Sequence, residues 1–247
     1  MERWHGRTAV VTGASAGIGA AICLGLANAG LRVVGLARRA NLVDELASKV
    51  EAGKGSIHSR QCDISKLEEV IAAFNWVEET FGGTDILVNN AGVMYPGHIT
   101  EVGDKPLSDE QLLAIINTNV TGLVMCTRRA IASMVKRQFD GHIVNINSIA
   151  GHYIPFSHMF NIYPSSKYAV TAFTNSLLNE LANFKNKIKV TGICPGLVNT
   201  DMVSKAATIY PTLQPSDVAD AVLYAISTPP SVNINEISIS PTTETRL

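Results

Sequence analysis

A doubly wound α/β fold, with a parallel sheet of about seven strands and helices on both faces, follows from three features of this 247-residue sequence. Short β-branched runs alternate with longer amphipathic stretches along almost the whole chain. Several of those runs are continuously apolar rather than alternating, as strands covered on both faces must be. No internal repeat, low-complexity tract or linker interrupts the alternation, so residues 1–247 read as a single domain. With 46% hydrophobic against 17% charged residues, there is ample material for the buried core such a sheet requires.

The elements can be assigned in order. Thr8-Ala9-Val10-Val11 opens the sheet, and a glycine turn leads into a helix over 17–29. Strands are expected at 32–37, 56–62, 85–89, 142–146, 188–193 and 236–240. Helices are expected at 43–51, 66–81, 108–136, 162–184 and 215–227. Residues 94–106 and 200–215 each follow a strand and carry proline and polar residues, so they are expected as loops. In sheets of this kind ligands bind at the carboxyl ends of the strands, which makes both loops candidates for a substrate lid.

Composition excludes several roles. A net charge of −1 gives no electrostatic reason to expect a nucleic-acid or anionic-membrane partner. The longest apolar runs are far short of a membrane span. The start, Met1-Glu2-Arg3-Trp4-His5-Gly6-Arg7, lacks the apolar stretch of a signal peptide, so a cytoplasmic protein is expected. Cys23, Cys62, Cys126 and Cys194 form no C-x-x-C pair and read as buried structural thiols. The six histidines show no metal-ligand spacing, so no metal is expected; a disulfide or metal site would need the fold to bring distant residues together.

Two motifs carry chemistry. Thr12-Gly13-Ala14-Ser15-Ala16-Gly17-Ile18-Gly19 lies between the first strand and first helix, where glycine permits a tight turn and close approach of backbone to a pyrophosphate. The same glycines are also compatible with a plain strand–helix turn. The second strand ends Ala37-Arg38-Arg39, and arginine there suits a 2′-phosphate where an acid would suit a free ribose hydroxyl. NADP(H) is therefore favoured, with a solvated charge pair as the plainer alternative. Asp63 stands where it could meet the adenine edge, or cap the next helix in competition with Ser65. Asn89-Asn90-Ala91-Gly92 follows the fourth strand, with small residues that permit cofactor approach.

The second motif is Tyr163-Pro164-Ser165-Ser166-Lys167, with Ser148 fifteen residues upstream. Tyr163 and Lys167 share one helix face at i, i+4, and Pro164 suits the first turn. A phenol of pKa ~10 is a poor base at neutral pH. A nearby ammonium and an oxidised nicotinamide would lower that value, and Ser148 would hold the reacting oxygen.

On these residues the chain resembles the classical short-chain dehydrogenases/reductases along essentially its whole length. The matching residues are Thr12, Gly13, Gly17, Gly19, Asp63, Asn89 to Gly92, Asn119, Ser148, Tyr163, Lys167 and Pro195-Gly196. The resemblance implies a Rossmann-type fold, NADP(H) and a homodimer or homotetramer joined through 108–136 and 162–184. It implies Ser148, Tyr163, Lys167 and Asn119 as catalytic residues, Asn119 breaking its helix and supporting a water that links Lys167 to solvent. For the cofactor it implies Gly13, Ser15, Gly17, Ile18, Gly19, Arg38, Arg39, Asp63, Asn90, Ala91, Gly92, Pro195, Gly196 and Val198, besides Tyr163. Asn90 would contact adenosine, Lys167 the nicotinamide ribose and Thr200 the carboxamide. Ala16 stands where many NADP-preferring relatives carry a basic residue, so the preference rests on Arg38 and Arg39.

A narrower similarity, carried by Met1 to Trp4, Val34 to Arg39, Cys126-Thr127-Arg128 and Gly141 to Ser148, is to the insect farnesol and antennal dehydrogenases and to vertebrate dehydrogenase/reductase family member eleven. It implies a lipophilic alcohol, farnesol-like, and its carbonyl as substrate. Met94, Tyr153, Ile154, Pro155, Phe156, Met159, Phe160, Leu197, Met202 and Ile209 flank the catalytic residues and agree with an apolar pocket, or with packing under loops. His152 and His158 read as packing or surface residues, with contact to substrate as the alternative. A broad carbonyl reductase or a steroid dehydrogenase is the enzymatic alternative, and a nucleotide-binding sensor the non-enzymatic one.

Overall fold

The computed structural model describes residues 1–154, 159–203 and 209–244. Seven strands form one sheet: β1 (Thr8–Thr12), β2 (Arg32–Ala37), β3 (Ser56–Gln61), β4 (Ile86–Asn89), β5 (His142–Ile146), β6 (Lys189–Pro195) and β7 (Glu236–Ile239). Their order is β3-β2-β1-β4-β5-β6-β7, and every pair is parallel. The chain winds outward from β1 to β3, returns to the other side of β1 at β4, and winds outward again. The reversal leaves a crevice beyond the carboxyl ends of β1 and β4, where such sheets bind ligands.

Among the described residues seven α-helices cover the sheet: α1 (Gly17–Asn28), α2 (Ala40–Ala47), α3 (Leu67–Phe81), α4 (Asp109–Ile116), α5 (Leu123–Lys136), α6 (Ile162–Asn183) and α7 (Pro215–Ser227). On one face Ala9 and Val11 of β1 pack with Ile22 and Leu26 of α1 and Val218, Val222 and Ile226 of α7. On the other, Val10 joins Phe74 and Val77 of α3, Cys126 and Met134 of α5, and Leu177 and Leu181 of α6. This is the reason the central strands read as unbroken apolar runs: alternate side chains enter two different cores. Edge strand β7 alternates instead, with Glu236 and Ser238 exposed.

One expectation changes, and the helix break expected at Asn119 is present. The helix over 43–51 forms earlier, at Ala40–Ala47; Val43 and Leu46 bury from it, while Val50 packs against the same core from beyond its end. The long helix over 108–136 is two helices joined by a π-helical segment, Asn117–Gly122. Ser108 starts α4 through a reciprocal capping box with Gln111. The π segment breaks the rod at Asn119, which is 1% exposed, and such segments commonly mark working sites. Both expected loops are pinned at their bases. Gly97 N–H donates to the Met159 carbonyl at 2.9 Å, and Leu213 N–H to the Leu197 carbonyl at 2.8 Å.

Candidate active site

The floor of the crevice is built by joining β1 to β4. Thr12 Oγ1 accepts from the backbone N–H groups of Asn90 and Ala91, both at 3.0 Å. Asn90 Nδ2 donates back to the carbonyls of Thr12 at 2.9 Å and Gly13 at 3.2 Å. The amide of Asn90 is thereby committed to the glycine turn instead of reaching outward. Gly13 has φ of +67°, and a Cβ there would lie 2.8 Å from Ala91 Cα, so only glycine fits.

Gly13, Ser15, Ala16, Gly17 and Ile18 line the resulting cleft, about 480 Å³ in size. Gly19 does not line it; it sits beneath the turn, where a side chain would collide with the Gly13 carbonyl. Helix α1 begins facing the cleft with no side-chain cap from Ala16, leaving its first N–H groups for an anionic ligand.

Arg38 and Arg39, both exposed, stand at the lip beyond β2. Asp63 lies across from them. Its Oδ1 accepts from Ser65 N–H at 3.0 Å and Ser65 Oγ at 2.7 Å, while its own N–H donates to Glu69 Oε2 at 2.8 Å. Neither Asp63 nor Ser65 caps α3, whose preceding residue is Lys66. Burial works to raise the Asp63 pKa, but the Ser65 hydrogen bonds and then the Arg38 charge outweigh it and hold the carboxylate low. These residues fit a nicotinamide dinucleotide: glycines that let backbone approach, an uncapped helix end, and cations and a carboxylate at the lip.

At the other end of the cleft stand Ser148, Tyr163 and Lys167. Ser148 ends the β5 segment, and its Oγ accepts from Ala150 N–H at 3.1 Å, starting a short 3₁₀ turn over Ile149–Gly151. Tyr163 and Lys167 extend from the first turns of α6, with Lys167 Nζ 5.7 Å from the Tyr163 ring centre. Lys167 is 7% exposed, and its ammonium donates to the Ile146 carbonyl at 3.1 Å.

Burial holds Lys167 down to about 8. Burial also pushes Tyr163 up to about 12, opposed by a hydrogen bond with Ser148. Among the protein's own groups desolvation thus wins, and Ser148 is the group that acts against it; the lowering expected from the ammonium together with an oxidised nicotinamide belongs to the cofactor-bound site.

Asn119 interrupts its helix where expected and sits behind the cleft wall. It does not line the cleft. Its Oδ1 accepts from Val93 N–H at 2.8 Å, and its Nδ2 donates to the Val93 carbonyl and to Ser166 Oγ, both at 3.0 Å. Ser166 in turn donates to the Tyr163 carbonyl at 2.7 Å. Asn119 therefore holds the loop after β4 against the start of α6, and its side chain has its polar atoms engaged there.

The remaining wall is the segment after β6. Pro195, Gly196, Leu197, Val198 and Thr200 line the cleft, and Gly17 faces the Thr200 methyl across it. Met94, Tyr153, Leu197 and Met202 give this end an apolar lining, while Ile154 and Ile209 are exposed outside it. Met159 and Phe160 also fall outside the lining, and Pro155, Phe156 and His158 lie beyond the described residues.

Two features had no sequence signal. Glu244 Oε1 accepts from Leu197 N–H at 3.1 Å and so fastens the chain's end to the cleft wall. A polar ladder ties β4, β5, α5 and α6 together. In it Asn89 donates to Thr127 at 2.8 Å and to Asn145 at 2.9 Å, and Asn145 donates to Thr174 at 2.9 Å. Each pair is separated by 29 residues or more, beyond any local pattern.

Comparison with known proteins gives the same frame. A family profile described as short chain dehydrogenase matches residues 7–209. A protein named farnesol dehydrogenase from Aedes aegypti is 46% identical, with 99% of each chain covered. Dehydrogenase/reductase SDR family member 11 from Mus musculus is 41% identical over 98% of this chain and 96% of its own.

Among solved structures, a metagenomic short-chain oxidoreductase in complex with NADP has a TM-score of 0.82 at 28% identity, covering 98% of this chain and 99% of its own. A short chain dehydrogenase/reductase from Burkholderia phymatum in complex with NAD has a TM-score of 0.86 at 25% identity, covering 96% and 90%. With the parallel sheet, the glycine cradle and the Ser148, Tyr163 and Lys167 group already in place, this near full-length likeness makes the chain an oxidoreductase that belongs to the short-chain dehydrogenase family.

Proposed function

We propose that the protein is an NADP(H)-dependent oxidoreductase that interconverts a lipophilic alcohol, a farnesol-like isoprenoid in the first place, and its aldehyde or ketone. The observation that carries this reading is the single cleft that has Arg38 and Arg39 at one end and Ser148, Tyr163 and Lys167 at the other. Arg38 and Arg39 would hold the 2′-phosphate, the Gly13–Ile18 turn and the α1 N-terminus the pyrophosphate, and the Pro195–Thr200 wall the nicotinamide end. When bound, the nicotinamide ring supplies the hydride donor or acceptor.

The chain's own residues do the rest. Ser148 Oγ, already hydrogen-bonded with Tyr163, would donate to the substrate oxygen and fix it beside the phenol. In the reducing direction Tyr163 Oη gives its proton to the developing alkoxide; in the oxidising direction it accepts the alcohol proton. Lys167, held by the Ile146 carbonyl, keeps a positive charge beside the phenol and a donor for the ribose. Asn119 acts as a positioning residue: it anchors Ser166, and through it the turn that carries Tyr163. Met94, Tyr153, Leu197 and Met202 would exclude water and receive the apolar chain.

The likeness to a named farnesol dehydrogenase supports the isoprenoid. A second reading is a broad carbonyl reductase, because the apolar lining by Met94, Leu197 and Met202 selects weakly among greasy substrates. We further infer a homodimer or homotetramer; the exposed Tyr168 and Phe184 at and just beyond α6 support contact through that helix. The test of substrate is the initial rate of NADPH formation from NADP⁺ with farnesol, run beside a steroid alcohol. A specialist turns over farnesol with a kcat/KM about a hundredfold or more above the steroid. Equal rates would replace this reading with the broad reductase.

A further inference from the structure

Behind the active site, the fold brings together three side chains that no sequence motif connects. His152 follows the 3₁₀ turn after Ser148, Cys194 is the residue before Pro195 in β6, and Glu236 opens β7. His152 Nε2 lies 2.9 Å from Glu236 Oε2 and 3.4 Å from Cys194 Sγ. All three donor atoms lie within 4.8 Å of one another, and among the described residues this is the one such group of histidine, cysteine and acid.

The arrangement is not that of a nucleophile and its base. In a relay the acid would hold the far nitrogen of the imidazole, leaving the near one for the thiol. Here carboxylate and thiol both converge on Nε2. N, S and O donors gathered within 4.8 Å of one another are nonetheless the set a borderline-soft metal ion can draw together. Tetrahedral zinc bonds of ordinary length put N and S ligands about 3.5 Å apart and N and O ligands about 3.4 Å apart. The separations on hand, 3.4 and 2.9 Å, are within a small adjustment of those edges.

We propose that His152, Cys194 and Glu236 form a zinc-binding site, with water completing the tetrahedron. A thiolate and an imidazole select zinc, or its cobalt surrogate, over magnesium and calcium, which prefer all-oxygen shells. Thiolate and carboxylate together neutralise the ion's charge. The side chains of His152 and Glu236 are 37% and 39% exposed, so the ion enters from solvent and reaches buried Cys194 from that side. Binding replaces the His152–Glu236 hydrogen bond with metal–N and metal–O bonds, the imidazole taking the tautomer with its proton on Nδ1, and forms a metal–S bond as the Cys194 thiol proton leaves to solvent. The occupied site would tie the turn after Ser148 to the residue before Pro195, stiffening two walls of the cleft at once.

Cobalt(II) titration of the metal-stripped full-length protein tests this without reference to turnover. The expected result is saturation at one equivalent with a near-ultraviolet cobalt–thiolate charge-transfer band. It should be accompanied by a zinc-dependent rise in melting temperature, since a ligand specific to the folded state stabilises it. Cys194→Ser should abolish the band, while Cys62→Ser should keep it. His152→Gln and Glu236→Gln, at half-exposed positions that the fold tolerates, should each weaken binding about tenfold or more. No saturable band in the wild-type protein, or a band that survives in Cys194→Ser or in both of the other two variants, would overturn the site.

Discussion

Asn119 Nδ2 donates to Ser166 Oγ at 3.0 Å, and Ser166 passes the contact on to the Tyr163 carbonyl at 2.7 Å. Two residues 47 apart in sequence thus fix the turn of α6 on which the proposed acid/base sits. Ser166→Ala should leave the Asn119 amide one partner short in a buried place and cost about 2 kcal/mol in unfolding free energy. Because Tyr163 is then less tightly aimed, kcat should fall about tenfold with KM for cofactor nearly unchanged. Chemical denaturation and steady-state kinetics read the two effects separately.

Arg38 and Arg39 should set cofactor choice. A charge-assisted contact to a phosphate contributes roughly 1.5–3 kcal/mol, so Arg38→Ala and Arg39→Ala should each lower the NADP-to-NAD preference about tenfold to a hundredfold. The loss should appear in KM for NADP, with the rate on NAD little changed. Kinetics with both cofactors, at fixed ionic strength, measure it.

Lys167 should make the fold pH-sensitive in a definite direction. Burial lowers its pKa from the ordinary 10.5 to about 8 in the folded protein. Between those values the unfolded chain binds the extra proton, so raising the pH from about 8 to about 10.5 relieves the burial cost and stabilises the fold. Below about 8 the cost is present in full, on the order of 3 kcal/mol. Lys167→Met should remove it. The difference in unfolding free energy between wild type and variant should therefore shrink as pH rises through this window, although the variant is inactive. Denaturant melts at three pH values within it would show the trend.

Asp85 and Arg137 should secure the opposite end of the sheet. Asp85 Oδ2 accepts from Thr8 N–H at 2.9 Å, and Oδ1 pairs with Arg137 Nη1 at 2.7 Å. Asp85 is almost wholly buried. Arg137→Met leaves that carboxylate without its cation and should cost roughly 3 kcal/mol, with catalysis unaffected at permissive temperature. A thermal melt alongside an activity assay separates the two.

The sheet was legible because its strands are buried on both faces: Ala9-Val10-Val11 and Ile143-Val144 alternate between two apolar cores and so read as continuous runs. The glycine cradle and the Tyr163–Lys167 spacing were legible for a like reason, being local in sequence. The break at Asn119 had no local signal of its own, since residues 108–136 keep helical periodicity straight through it; only the family likeness marked it. Partners that the fold alone supplies could not be read at all. Ser166 for Asn119, Glu244 for Leu197, and Cys194 and Glu236 for His152 each come from distant segments. The burial that raises the Tyr163 pKa among the protein's own groups was not legible either, because desolvation depends on depth in the cleft, which spacing does not encode.

The central claim is that Tyr163 Oη moves the substrate proton within a site that holds NADP(H) independently of it. Tyr163→Phe removes that oxygen and little else, so the decisive measurement pairs NADPH titration by fluorescence with turnover of farnesol in the same preparation. The account predicts a cofactor Kd within about threefold of wild type and turnover reduced by about 10²–10⁴, the range for loss of a positioned acid/base. A Phe variant that binds NADPH and still turns over farnesol at a comparable rate would contradict it.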